Sequence, residues 1–180
     1  MRGQMEELGE KSSVYSETIN DLDVFIDPKL PAEIILQLDM LQIREGDLGV
    51  LRSLQPVIKE YLERMINDYL EQLIRDPLYP KETSNKIHNV LQNHLTQLFR
   101  GRVDLAFIKS SQDLAYLLYR TGLSLDGYIA ATQNVIQLIL VCILREEVQS
   151  KEQSRVLAKV IAKIFCFELQ VVLKSYQNIS

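Results

Sequence analysis

The sequence predicts an all-α domain. Three observations carry that expectation. Apolar residues recur at three- and four-residue intervals from Leu38 almost to the C-terminus. No stretch alternates apolar and polar side chains as a half-buried strand would, and there is no internal repeat. Proline, glycine and capping residues fall between the periodic runs rather than inside them.

Residues 1–37 read as an N-terminal extension, with Ser12, Ser13, acidic residues, Pro28 and Pro31 and little apolar pattern. Within it, Val24, Phe25 and Ile26 can dock on the body ahead of a proline-bounded turn. The domain proper is expected over 38–180. Pro56 suits a first helical turn, where its missing N–H costs nothing. Behind it Val57, Ile58, Tyr61, Leu62, Met65, Ile66, Tyr69, Leu70, Leu73 and Ile74 form one apolar face, until Pro77 and Pro80 stop the helix. A second helix is expected from Ser84 to Phe99, with Ile87, Leu91, His94, Leu95 and Leu98 inward and Gly101 ending it. Asp104 is placed to cap a third, carrying Leu105, Ile108, Leu114, Ala115, Leu117 and Leu118 up to Gly122. Two long helices, Ser124 to Val148 and Lys151 to Asn178, complete the set.

Composition narrows the function classes. At 180 residues the chain suits one domain of roughly 150 residues with a tail. A net charge of -4 argues against a phosphate-seeking surface, so no nucleic-acid partner is expected. Two cysteines make no disulfide framework and no zinc spacing, and the polar stretch Met1 to Glu10 is unlike a signal peptide; a cytoplasmic location follows as the expectation. The apolar run from Tyr128 to Leu144 is broken by Thr132, Gln133, Asn134 and Gln137, and Arg145, Glu146 and Glu147 follow it. A span needs about 20 predominantly apolar residues. The run therefore reads as a buried helix, not a transmembrane segment. No catalytic set is legible: Cys142 and Cys166 sit in apolar helices as inert thiols, and Glu146 with Glu147 reads as a solvated helix end, so no enzyme is expected.

The last two helices hold more apolar surface than one core uses. In the final one, Leu157, Ile161, Ile164 and Leu169 read as one side, and Val156, Val160, Phe167 and Val171 as another. A helix apolar nearly all round must be covered nearly all round. A homodimer through a helical bundle of these two helices is the expectation, with cover by the N-terminal extension as the alternative.

The stretch Asn93-His94-Leu95-Thr96-Gln97-Leu98-Phe99-Arg100-Gly101-Arg102-Val103-Asp104 resembles the H-L-x-x-L-F-x-G-x-x-D passage of globin-coupled sensors. Leu118-Tyr119-Arg120-Thr121-Gly122-Leu123, then Tyr128, is similar to that family's H-x-R-I-G-L-x-x-x-W-Y motif. Leu41 to Leu48 is similar to its L-x-L-T-x-E-D-L passage at the start of the first globin helix. The resemblance covers Leu38 to the C-terminus and implies a globin-like fold.

Its departures carry the functional expectation. The family's haem-binding histidine falls on Leu118, which has no lone pair for iron. Its ligand-bonding tyrosine falls on Leu70, although a shift of one residue would place Tyr69 there, and its tryptophan falls on Gly127. His88 and His94 are six residues apart, about 120° round a helix, so they cannot grip one metal together. His94 reads as a core histidine and His88 as a solvated one. No cofactor is expected.

The vacated cleft either collapses under its own side chains or keeps room for an apolar small molecule. A long-chain fatty acid fits the second outcome, with Leu70, Leu98, Leu114 and Leu118 as walls and Tyr69, His94, Arg120 and Tyr128 as the polar groups. With no length left for an output domain, the chain is similar to the stand-alone haem-free sensor-domain proteins that inhibit sporulation in spore-forming bacilli. That resemblance implies fatty-acid binding, a homodimer and competition with a sensor histidine kinase for signal or partner. The alternatives are a haem-based oxygen sensor domain, or the sensory module of a stressosome-type protein.

Overall fold

The computed structural model describes residues 24–74, 80–146 and 150–180, with side chains for all of these except 143–146. Residues 1–23, 75–79 (with Pro77) and 147–149 (with Glu147) lie outside what is described. Seven helices and a two-stranded parallel bridge make up the described residues: β1 (Phe25–Ile26), α1 (Ala32–Met40), α2 (Glu45–Ser53), α3 (Gln55–Leu73), α4 (Lys81–Leu98), β2 (Arg102–Val103), α5 (Leu105–Thr121), α6 (Leu125–Glu146) and α7 (Lys151–Ile179). The all-α expectation holds, in a globin-like arrangement.

Helix ends follow the local chemistry. Asp104 accepts a hydrogen bond from the Phe107 N–H at 3.1 Å and caps α5, as the sequence indicates. Gly122 closes α5 in the left-handed region at φ 68°, a conformation that costs glycine nothing. Pro56 occupies the first turn of α3. α4 starts at Lys81, three residues before the expected Ser84, because its first turns are polar and the apolar periodicity begins only at Ile87.

Structure also reaches further toward the N-terminus than the periodicity does. β1 pairs with β2, Phe25 beside Arg102 and Ile26 beside Val103, so the docking of residues 24–26 takes the form of a strand bridge. α1 runs from Ala32, and Leu30, Ile34 and Leu38 are buried in the same core as the rest. Residues 24–37 are thus packed on the body.

α7 is the central element. It packs against α5 and α6 along its length and touches α1 and α2. Val160, Ile161, Ile164, Phe165, Phe167, Glu168, Val171 and Val172 are all buried within this one chain. That corrects the expected division of the helix into two apolar sides: Val160, Phe167 and Val171 face the monomer core, and Val156, 42% exposed, does not. Cys142 is buried and Cys166 exposed, so only the first fits the reading of both thiols as inert and buried.

Candidate functional site

Five helices bring polar side chains to one point in the core. α4 supplies His94, α5 Ser110, α6 Tyr128 and Thr132, α3 Tyr69, and α7 Glu168; each is almost wholly buried. The His94 Nδ1 lies 3.2 Å from the Ser110 hydroxyl, and its Nε2 lies 2.8 Å from Glu168 Oε1. The Tyr128 hydroxyl donates to the same carboxylate oxygen. Tyr128 stacks on Tyr69 with ring centroids 5.7 Å apart, and the Tyr69 hydroxyl donates to Thr132 Oγ1 at 3.1 Å. Buried polar groups are stable only when partnered. Here one oxygen, Glu168 Oε2, has no partner.

Electrostatics at this point disfavour a second negative charge. Burial pushes the Tyr69 and Tyr128 hydroxyls far above the usual phenol range, and the charge of Glu168 pushes in the same direction. Both phenols therefore act as neutral donors.

Around this network the seam between α4 and α5 is closed. Phe107 of α5 lies between the His94 ring, at 6.4 Å, and Phe167 of α7, on which it stacks at 5.6 Å. Leu91, Leu95, Leu98, Leu114 and Leu118 are all buried in the same core. Two surface grooves lie elsewhere. One of about 420 Å³ runs along Ile26, Ile35, Leu38, Ile43 and Arg44, and one of about 390 Å³ lies between α3 and α6.

Of the residues singled out from sequence, Tyr69, His94 and Tyr128 share the buried network, and Leu98, Leu114 and Leu118 belong to the surrounding core. Leu70 is only half-buried, while its neighbour Tyr69 points inward. Arg120 is exposed on α5 with its guanidinium 5.8 Å from the Tyr116 ring, so it does not join the buried groups. At Gly127 a Cβ would meet Ser124 Oγ at 2.9 Å and the Gln72 carbonyl oxygen of α3 at 3.8 Å. His88 is half-buried and bonds Glu63 at 3.0 Å rather than standing in solvent.

Sequence reasoning missed Glu168, Ser110 and Thr132. A signal for Glu168 existed: it is a lone acid four residues after Ile164 and three before Val171, on the apolar stripe itself. A charge on such a stripe needs a buried partner.

The residues present do not fit a haem. Leu118 offers iron no donor, and both ring nitrogens of His94 are engaged.

Among solved structures, the globin domain of the Geobacter sulfurreducens globin-coupled sensor is similar, with a TM-score of 0.65 and 20% sequence identity over 79% of this chain and 97% of that one. At that identity the likeness speaks for the fold. The protoglobin family model matches residues 30–179, from the buried Leu30 before α1 to the end of α7. The chain belongs to the protoglobin family.

Proposed function

We propose that this protein is a haem-free globin sensor domain that answers to an apolar ligand of the long-chain fatty-acid class. The observation that carries the reading is Leu118, fully buried where the related motif has its haem-binding histidine, in a seam of leucines and Phe107. The seam is shut as it stands, so a ligand enters by parting α4 from α5. About ten buried methylenes contribute on the order of 8 kcal/mol, enough to offset a few displaced contacts. His94 and Tyr128 are already bonded to Glu168, and a second buried carboxylate beside it is disfavoured. The ligand's own carboxylate therefore belongs at the surface end of the seam.

The resemblance to stand-alone sporulation-inhibitory sensor domains supports the output: a cytoplasmic homodimer that competes with a sensor histidine kinase for its signal or partner. Two measurements test the reading. Solvent extracts of the purified protein are expected to yield fatty acids by mass spectrometry, and added haem is expected to produce no Soret band. A histidine-ligated haem spectrum, or neither co-purified lipid nor binding of added palmitate, would overturn it. Expression in a spore-forming bacillus is expected to lower spore counts, and unchanged counts would remove the kinase-competition part.

A further inference from the structure

We propose that His94 and Glu168 share one buried proton, which latches α4 to α7 and makes the closed seam a proton-loaded state. This stands whether or not the seam admits a ligand.

The Ser110 hydroxyl has one hydrogen and two neighbours: the Phe107 carbonyl at 2.8 Å and His94 Nδ1 at 3.2 Å. The shorter contact to a backbone acceptor takes the hydrogen, which leaves Ser110 Oγ as acceptor and requires an N–H on Nδ1. Across the ring, Nε2 and Glu168 Oε1 lie 2.8 Å apart, a distance that needs a hydrogen between them. A neutral histidine already protonated on Nδ1 has none to give. Either the ring carries a second proton opposite a carboxylate, or the carboxyl carries it opposite a neutral ring. In both cases the pair holds one proton more than a neutral histidine beside an ionised glutamate.

Charge points the same way. Glu168 is 1% exposed and its Oε2 has no partner, a poor setting for an uncompensated negative charge. The groups facing it are His94 from α4, Tyr128 from α6 and, next to that ring, Tyr69 from α3; α5 contributes only the Ser110 hydroxyl, through His94. The cations of α7 itself point elsewhere. Lys163 and Lys174 lie about 140° and 120° round the helix from Glu168. They pair with Asp47 of α2 and Glu33 of α1. No cation other than the shared proton faces the carboxylate among the described residues.

Nitrogen NMR on the full chain at pH 8 tests the proton directly. The expected spectrum shows His94 either protonated on both nitrogens or protonated on Nδ1 with Nε2 accepting. A neutral ring protonated on Nε2 alone would overturn the proposal.

Discussion

Tyr69 and Tyr128 have phenols that solvent does not reach, and burial, reinforced by the Glu168 charge, raises both far above the usual phenol range. The sign of the consequence is fixed. A group whose folded value is raised contributes stability that is present below its unfolded value and is lost as pH climbs past it. Stability should therefore decline from about pH 10 upward, as the unfolded chain ionises tyrosines that the folded chain keeps neutral. Alkaline titration followed at 295 nm should leave two of the eight tyrosines silent until the protein unfolds. Ionisation of all eight before any loss of helical circular dichroism would contradict this. Leu118→His is a second residue-scale test. The position is fully buried in a closed seam. An unpartnered imidazole there should cost about 2–4 kcal/mol by urea unfolding without creating a Soret band when haem is added. At this scale the sequence was half legible. His94 stood out as a lone histidine on an apolar face, yet its partner comes from a helix more than seventy residues later. No local pattern carries a pairing at that separation.

Two glycines distinguish conformation from packing in how the elements are joined. Gly122 ends α5 at φ 68° with open space where a Cβ would stand. Gly101 has φ 77°, and a Cβ there would meet Arg52 Cβ at 2.9 Å and the Leu48 carbonyl at 3.0 Å, both on α2. Gly122→Ala should cost about 1 kcal/mol for the left-handed backbone alone. Gly101→Ala should cost about 2–4 kcal/mol, because α2 must also retreat from the α4–β2 corner. Urea midpoints at constant slope would check the order, and equal losses would show that the α2 contact gives way freely. α1 and α2 are held to α7 by polar ties: Lys163 donates to the Gln42 carbonyl at 2.9 Å and to Asp47 at 3.1 Å, and Lys174 pairs with Glu33. Lys163 and Asp47 are mostly buried, so Lys163→Met should lower stability by about 1–3 kcal/mol and speed amide exchange in α1 and α2 before α4 or α5. From α3 onward element types and most boundaries were legible because capping and periodicity are local; Asp104 and Gly122 mark α5 within a residue, whereas α1 lay inside what read as an extension. β1 was visible only as a docking stretch. A two-residue bridge has no period, and its partner β2 lies more than seventy residues away.

At the scale of the whole molecule, what remains is the apolar surface that one chain does not cover. α6 turns Tyr128, Ala131, Thr132, Val135 and Ile139 inward. It leaves Ile129 40% and Val141 47% exposed, with Ile136 and Leu140 only partly covered. Its segment Leu125–Cys142 is long and apolar enough to cross a membrane by length and composition, but its inward face is fixed by Tyr128 and Thr132 in the buried network. A helix anchored in a core by polar bonds cannot also give that face to lipid. Ile129, Ile136 and Leu140 lie within about 40° of one another round α6, a narrow strip suited to a second copy packed side by side. Charge on the strip and charge in the core should then behave differently. Ile129→Glu is expected to halve the mass seen by light scattering while the helical signal stays that of wild type. Val171→Glu is expected to unfold the chain instead, since Val171 is 3% exposed within the monomer and an unpaired buried carboxylate costs several kcal/mol. If wild type already runs as a monomer at micromolar concentration, the strip has some other cover. If Val171→Glu alone gives a folded monomer, the apolar contact between copies runs along α7 rather than α6.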